Sequence, residues 1–161
     1  MHIRSFRAAD MPHVIDLTIE VFGVFYEQSF RAMVSPTVFE HQHGSWADDY
    51  RRDVPALHDP EHDKHIAIAQ DDANGIVGFV AWSVDRGRRH GDIDMLAVCA
   101  SARQHGTGRA LCEHAMAAMR AADIEVVGVG TGGDWFHAPA RALYESLGFS
   151  LVPVAVYLRD L

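Results

Sequence analysis

The chain has 161 residues, 48% of them hydrophobic and 22% charged, with a formal net charge of −8. A chain of this length is the usual size of one domain and buries a sizeable core without disulfide or metal staples. Strong acidity argues against a nucleic-acid partner, which needs a basic face to displace counterions, and suits a protein that handles cationic ligands.

The two cysteines, Cys99 and Cys112, sit in apolar surroundings without metal-ligand spacing, which points to a reducing compartment and structural thiols. Met1-His2-Ile3-Arg4 opens directly into structured sequence, with no apolar signal core. No stretch approaches the length of a membrane span. A cytoplasmic location without membrane or nucleic-acid partners is the expectation.

In chain order, His2 to Phe6 alternates and predicts a strand. Ala9-Asp10-Met11-Pro12 supplies an N-cap and a first-turn proline, and Ile15, Ile19 and Phe22 continue at helical spacing. Phe25 to Val34 predicts a second helical segment, broken by Ser35-Pro36, which can cap another short helix. From His41 to Asp63 the periodicity dissolves into loop plus short helix. His65–Ala69, Ile76–Val84 and Asp92–Val98 predict three strands of an antiparallel meander, the first turn marked by Asn74-Gly75. Gly108 to Arg120 predicts a long amphipathic helix, with Leu111, Ala115 and Met119 on one face. Glu125–Val129 predicts a strand, Ala138–Ser146 a helix stopped by Gly148, and Leu151–Leu158 a final strand. The expected architecture is one mixed α/β (α+β) domain over residues 1–161.

Arg103-Gln104-His105-Gly106-Thr107-Gly108 lies between a predicted strand and a predicted helix. A helix N-terminus offers unpaired backbone N–H groups and the positive end of its dipole. Glycines let a phosphate approach closely, and Arg103 and Arg109 add full charges. The loop reads as a pyrophosphate cradle. No Gly-Lys-Ser/Thr follows, so it is not a Walker loop, and Leu111 occupies the third glycine position of a dinucleotide fingerprint. Gly128-Val129-Gly130-Thr131-Gly132-Gly133 formally matches G-x-G-x-x-G, but too little chain follows for a dinucleotide fold. It reads as a turn lining a cleft.

The run Asp94 to Leu111 resembles the acetyl-CoA motif of the GNAT N-acetyltransferases: a strand ending in Leu96-Ala97-Val98, then Arg103-Gln104-His105-Gly106-Thr107-Gly108, then a helix. The run His137 to Phe149, with Ala140, Leu143-Tyr144 and Gly148-Phe149, resembles the family's second motif. Ala100 stands where a proline is common, Gln104 where a glycine is frequent, and His137 where an asparagine is usual. The resemblance spans essentially the whole chain. It implies the GNAT fold: a mixed, mostly antiparallel twisted sheet of six to seven strands flanked by about four helices.

The resemblance also implies direct acetyl transfer from acetyl-CoA to an amine, without a metal. It assigns Leu96, Ala97 and Val98 to the pantetheine arm, with the Val98 N–H as candidate oxyanion donor. Arg103, Gln104, His105, Gly106, Thr107, Gly108 and Arg109 fall to the pyrophosphate. Tyr144 matches the family's general acid and meets the cofactor. Asp94 reads either as the carboxylate that receives the amine or as a solvated edge charge beside Asp92. His137 reads as a base or as a helix-start residue, and Asp134 as a neighbouring acceptor contact. His41, His43, His58, His62 and His65 read as solvated loop histidines, since Pro60 breaks any helical metal face.

Glu40 to Asp63 falls where the family builds its acceptor pocket. Trp46 and Tyr50 with Asp48 and Asp49 suit a polycation through ion pairs and cation–π contacts. Asp92-Ile93-Asp94-Met95 and Thr131 to Asp134 with His137 to Arg141 are similar to a bacterial subgroup that includes aminoglycoside-modifying enzymes. A small cationic amine is therefore the expected acceptor, aminoglycosides first. A protein or peptide amine is the alternative, and a non-catalytic acetyl-CoA sensor the third reading. A homodimer is a further expectation of the resemblance.

Overall fold

Three adjacent strands, β2 (Lys64–Asp71), β3 (Gly75–Asp85) and β4 (His90–Val98), form the antiparallel meander that hydrophobic alternation predicts. They lie at the centre of a five-stranded sheet in a computed structural model that describes residues 1–73 and 75–161. Asn74 of the turn signal lies outside the described residues, and Gly75 takes a left-handed φ of 73°. β1 (His2–Ser5) pairs antiparallel with β2 at one edge. β5 (Val126–Val129) pairs parallel with β4 at the other.

Each face of the sheet receives one main helix. Val14, Leu17, Thr18 and Val21 recur at 3.6-residue spacing on α1 (Met11–Val24) and are buried. They cover the face that carries Ile66, Ile68, Phe79, Ala81 and Ala97. On the opposite face, Leu111, Cys112, Ala115 and Met119 of α5 (Thr107–Ala121) pack on Ala67, Ala69, Val80 and Val98. The alanines on β2 admit the closer helix. Fully burying a side chain such as Leu111 contributes about 1.5–3 kcal/mol.

The chain stays helical after α1, through a π-helical turn at Phe25–Phe30 and a short α2 (Arg31–Met33). Ser35 then caps α3 (Pro36–His43), its Oγ accepting from the Val38 N–H at 3.2 Å. The stretch expected to be irregular is largely helical. α4 (Trp46–Asp53) sets Arg51 on Asp48 and Arg52 on Asp49, each one turn apart, and turns Trp46 and Tyr50 to a common side. The exposed ion pairs add about 0.2–0.5 kcal/mol each to a helix whose apolar side is Trp46 and Tyr50. Among the described residues, no helix is long and apolar enough to cross a membrane.

α6 (Ala138–Ser146) ends at Gly148, whose φ of 89° suits the glycine stop. The expected final strand, Leu151–Leu158, is corrected: residues 150–161 take no regular structure and remain exposed. The sheet has five strands among the described residues, against six to seven expected. Periodicity reports the tendency of this segment to pair, but an extended segment becomes a strand only beside another strand's edge.

Candidate active site

The glycine loop forms the N-terminus of α5. Gln104 and Gly106 both take left-handed backbone conformations, with φ of 61° and 80°. The first helical hydrogen bond runs from Ala110 N–H to Gly106 C=O at 3.0 Å, so the N–H groups of Thr107, Gly108 and Arg109 precede the ladder. No side chain caps this end. A Cβ on Gly106 would meet nothing within 4 Å, so the space before these donors is open. Unsatisfied donors at the positive end of a 15-residue helix suit a diphosphate. Arg103 Nε donates to the Val98 carbonyl at 3.0 Å, bracing the loop against β4. His105 Nδ1 contacts the Arg103 carbonyl at 2.7 Å. Arg109 reaches Ser146 Oγ at 2.7 Å and Glu113 at 3.4 Å, so part of its charge ties α5 to α6.

β4 precedes this loop. Ala81 pairs with Met95 and Trp82 with Ile93, which leaves Asp94 as the extra residue of a β-bulge. Pairing with β5 ends at the preceding residue, Ile93 opposite Val129. Beyond it, β4 has no strand on its β5 side among the described residues. Cys99 N–H donates to Val77 on β3, so by strand alternation the backbone groups of Val98 and Leu96 face the open side. The Val98 carbonyl meeting Arg103 there fits that geometry. The open edge offers Leu96 and Val98 to an extended ligand, while the Ala97 side chain lies in the core against the α1 face.

Asp94 accepts from Ser83 Oγ at 3.1 Å. Burial by neighbouring atoms raises its pKa above the ordinary carboxylate value, with Asp92 pushing the same way against the pull of Ser83 and Lys64. Asp94 thus sits at the bulge with enhanced affinity for a proton.

Tyr144 projects from α6 into the core between Cys112 and Phe149 and is nearly buried. Burial, and secondarily Cys112, push its phenol up to about 12. Its hydroxyl has no hydrogen-bond partner among the described residues, so its proton is uncommitted and present throughout the neutral range. Burial likewise pushes the Cys112 thiol to about 11, which makes it a poor nucleophile.

At the start of α6, His137 Nδ1 lies 2.7 Å from Asp134 Oδ2, both side chains largely enclosed. Asp134 Oδ1 accepts from the N–H groups of Phe136 (2.9 Å) and His137 (3.3 Å). Burial acts to raise the Asp134 pKa, but the hydrogen bond and charge of His137 outweigh it, and the net shift is downward. With Nδ1 donating to that carboxylate, Nε2 is left as an acceptor. Phe25 packs edge-on against the imidazole, with ring centroids 4.6 Å apart.

A cleft of about 330 Å³ opens beside Met95, the residue after the bulge. Trp46 stacks on Tyr26 at 5.2 Å, Tyr26 and Tyr50 hydroxyls meet at 3.1 Å, and Asp49 and Asp53 contribute carboxylates, both paired with Arg52, which lines the cleft as well. Burial and Tyr26 raise the Tyr50 pKa strongly. Asp48 is exposed, pairs with Arg51 and does not line the cleft. Asp134 serves His137 rather than the cleft, though a run of rings, Trp46–Tyr26–Phe25–His137, joins the two places. Phe25, Tyr26 and His43 were not expected here. Their signal is the aromatic run Phe22, Phe25, Tyr26 and Phe30, which reads as core until the π turn aims it at the cleft.

An open strand edge thus runs from the Asp94 bulge to a helix N-terminus with unsatisfied donors, and Tyr144 stands on the following helix, α6. The acetyltransferase (GNAT) family model matches residues 26–149, and the chain belongs to that family. The mycothiol acetyltransferase of Beutenbergia cavernae is 36% identical over 90 residues, 56% of this chain. The chain spans only 29% of that relative's length. The fold matches an aminoglycoside 6′-N-acetyltransferase from Acinetobacter haemolyticus at a TM-score of 0.69 and 14% identity, over 100% of this chain and 99% of the other. It also matches AAC(6′)-Iy, solved with a bisubstrate analogue, CoA-S-monomethyl-acetylneamine, at a TM-score of 0.68 and 16% identity, over 99% and 97% of the two chains.

Proposed function

We propose that residues 1–161 act as one catalytic domain that transfers the acetyl group of acetyl-CoA to a primary amine of a small cationic acceptor, aminoglycosides being the first class to test. The observation that carries this reading is the aromatic, carboxylate-bearing cleft beside Met95. It adjoins the Asp94 bulge and connects through Phe25 to His137. Aromatic faces attract ammonium groups, and a cationic acceptor would take the Asp49 and Asp53 carboxylates by exchanging with Arg52, which holds them both in the free protein. The reading includes a cytoplasmic location and a homodimer.

In this reading the N–H groups at the start of α5 hold the coenzyme A pyrophosphate, and the open edge of β4 at Leu96 and Val98 pairs with the pantetheine arm. The acceptor amine attacks the thioester carbonyl carbon, and the Val98 N–H stabilises the oxyanion, a contribution worth about 10²–10³ in rate for such donors. The C–S bond then breaks. Tyr144 donates its phenolic proton to the departing sulfur, and the ammonium formed on the acceptor surrenders a proton to His137 Nε2 or, through water, to Asp94. His137 carries the stronger geometric case, because the contact of its Nδ1 with Asp134 orients the ring.

A thiol-release assay with acetyl-CoA tests this against aminoglycosides, linear polyamines, peptides with free N-termini and the amine precursor of mycothiol. That last compound is included because of the relative's name. The proposal expects turnover highest with a small polyamine. Turnover confined to peptides would replace it with a protein N-acetyltransferase. No turnover, with acetyl-CoA still raising Tm, would replace it with a sensor.

A further inference from the structure

The glycine-rich turn between β5 and α6 is ordered without help from the core. Residues 130–135 belong to neither apolar cluster, and Thr131, Gly133 and Trp135 are exposed. A Cβ on Gly130 or Gly133 would meet nothing within 4 Å. So open a segment has no packing reason to keep one conformation. Hydrogen bonds from the first turn of α6 fix it instead. Arg141 Nη1 donates to the Gly132 carbonyl at 2.5 Å and to the Asp134 carbonyl at 2.7 Å. Asp134 is therefore held twice, its main chain by Arg141 and its side chain by the N–H groups of Phe136 and His137.

Arg141 stands one turn after His137, its N–H donating to the His137 carbonyl at 3.0 Å, so the two side chains share a side of α6. The arginine is partly buried and makes no ion pair among the described residues; its charge falls on two carbonyl dipoles. Charge-assisted bonds of this kind are about twice as strong as neutral ones. The planar fork suits carbonyls on either side of Gly133, a geometry that a flexible ammonium does not pre-organise. What these bonds fix is the carboxylate that lies 2.7 Å from His137 Nδ1. A misplacement of about 1 Å at a reacting group can cost about 10²-fold in rate.

We propose that Arg141 is a positioning residue for acetyl transfer: by gripping the Gly132 and Asp134 carbonyls it keeps Asp134 against His137, and the imidazole aimed at the acceptor amine. This rests on His137 as the proton acceptor of the proposed reaction.

Arg141→Ala should stay folded by circular dichroism, because the turn lies outside both apolar clusters. Its kcat should fall roughly 10-fold, with KM for acetyl-CoA within about threefold. Should it unfold, Arg141→Lys takes its place with the same expectation, since it keeps the charge without the fork. In Arg141→Ala/His137→Gln, kcat should stay within about twofold of His137→Gln alone, because residues that act as a unit do not add. Hydrogen exchange should show the Phe136 and His137 amides losing protection in Arg141→Ala while those of β4 keep it. Additive losses in the double variant overturn this inference alone. So does unchanged protection of the two amides, or a wild-type kcat in Arg141→Ala where His137→Gln is impaired. A wild-type kcat in His137→Gln, or no turnover of any amine, overturns the underlying reading and the role of Arg141 with it.

Discussion

His137 Nδ1 and Asp134 Oδ2 meet at 2.7 Å across a turn whose inner side is left open by Gly132. A Cβ on Gly132 would fall 2.5 Å from His137 Nδ1 and closer still to Asp134 Oδ2, a clash in any rotamer that keeps the pair. Gly132→Ala should therefore separate the dyad while leaving the sheet intact. The expected outcome is a kcat at least 10-fold lower, with KM for acetyl-CoA within about threefold, since proton transfer by a positioned base is worth about 10²–10⁴. His137→Gln should lower kcat by a similar factor. Steady-state kcat of both variants at saturating acetyl-CoA decides it. An unchanged kcat in His137→Gln assigns the base elsewhere, with Asp94 next in line.

Tyr144 supplies the second prediction. Burial lifts its phenol to about 12, so it is a proton donor at every working pH and cannot itself account for a basic limb near neutrality. Tyr144→Phe removes only the hydroxyl, whose partner in the free enzyme is absent among the described residues, so stability should change by less than about 1 kcal/mol. The kcat should fall roughly 10²-fold at all pH values, with acetyl-CoA affinity nearly unchanged. Single-turnover thiol release with saturating acetyl-CoA measures this. A variant with wild-type kcat leaves the departing thiolate to water.

The glycine loop is tested by binding rather than turnover. Gly106 has a φ of 80°, and its missing Cβ faces open space. Gly106→Val should thus add backbone strain of about 1–2 kcal/mol and obstruct the approach to the α5 N–H groups. Calorimetry should show acetyl-CoA binding weakened at least 10-fold, with the fold retained by circular dichroism. Normal affinity would move the diphosphate away from this helix end.

Much of this site is legible before any coordinates, because its chemistry lies in local motifs. The strand Leu96–Val98, the loop Arg103–Gly108 and the helix from Ala138 through Tyr144 are each contiguous, and glycines mark both of their turns. The Asp94 bulge is not legible, because it depends on how Ala81 and Trp82 register against β4. Nor is the arrival of Phe25 against His137, a contact over more than a hundred residues set by a π turn. Segment 46–53 hides its helix because its apolar side rests on two residues, Trp46 and Tyr50, among five charged ones. The 151–158 run shows the opposite error: its alternation favours an extended segment, but pairing needs an adjoining edge, and no strand pairs with it among the described residues.

The Arg4–Asp10 pair links the β1 edge to the start of α1 and should govern acid stability. Arg4 donates to both carboxylate oxygens at 2.7 and 2.9 Å, and the Arg7 N–H donates to one of them at 2.8 Å. The guanidinium holds the Asp10 carboxyl below its ordinary value, against the opposing effect of burial. A carboxylate depressed in the folded state stabilises the fold fully above its unfolded pKa of about 3.9, and that contribution fades as pH falls through the lower folded value. Asp10→Asn keeps an acceptor but leaves the Arg4 charge partly uncompensated. The fold should lose about 2–3 kcal/mol at pH 7, since breaking a largely enclosed pair costs of that order. For a chain of this size that lowers Tm by roughly 4–12 °C. The difference between the two proteins should hold steady from pH 8 to about pH 5 and narrow below about pH 4, as wild-type Asp10 takes up its proton. Denaturant melts across that range measure the difference directly. A gap that stays constant down to pH 2.5 would mean that the variant acts through packing at the helix start and not through the charge of Asp10.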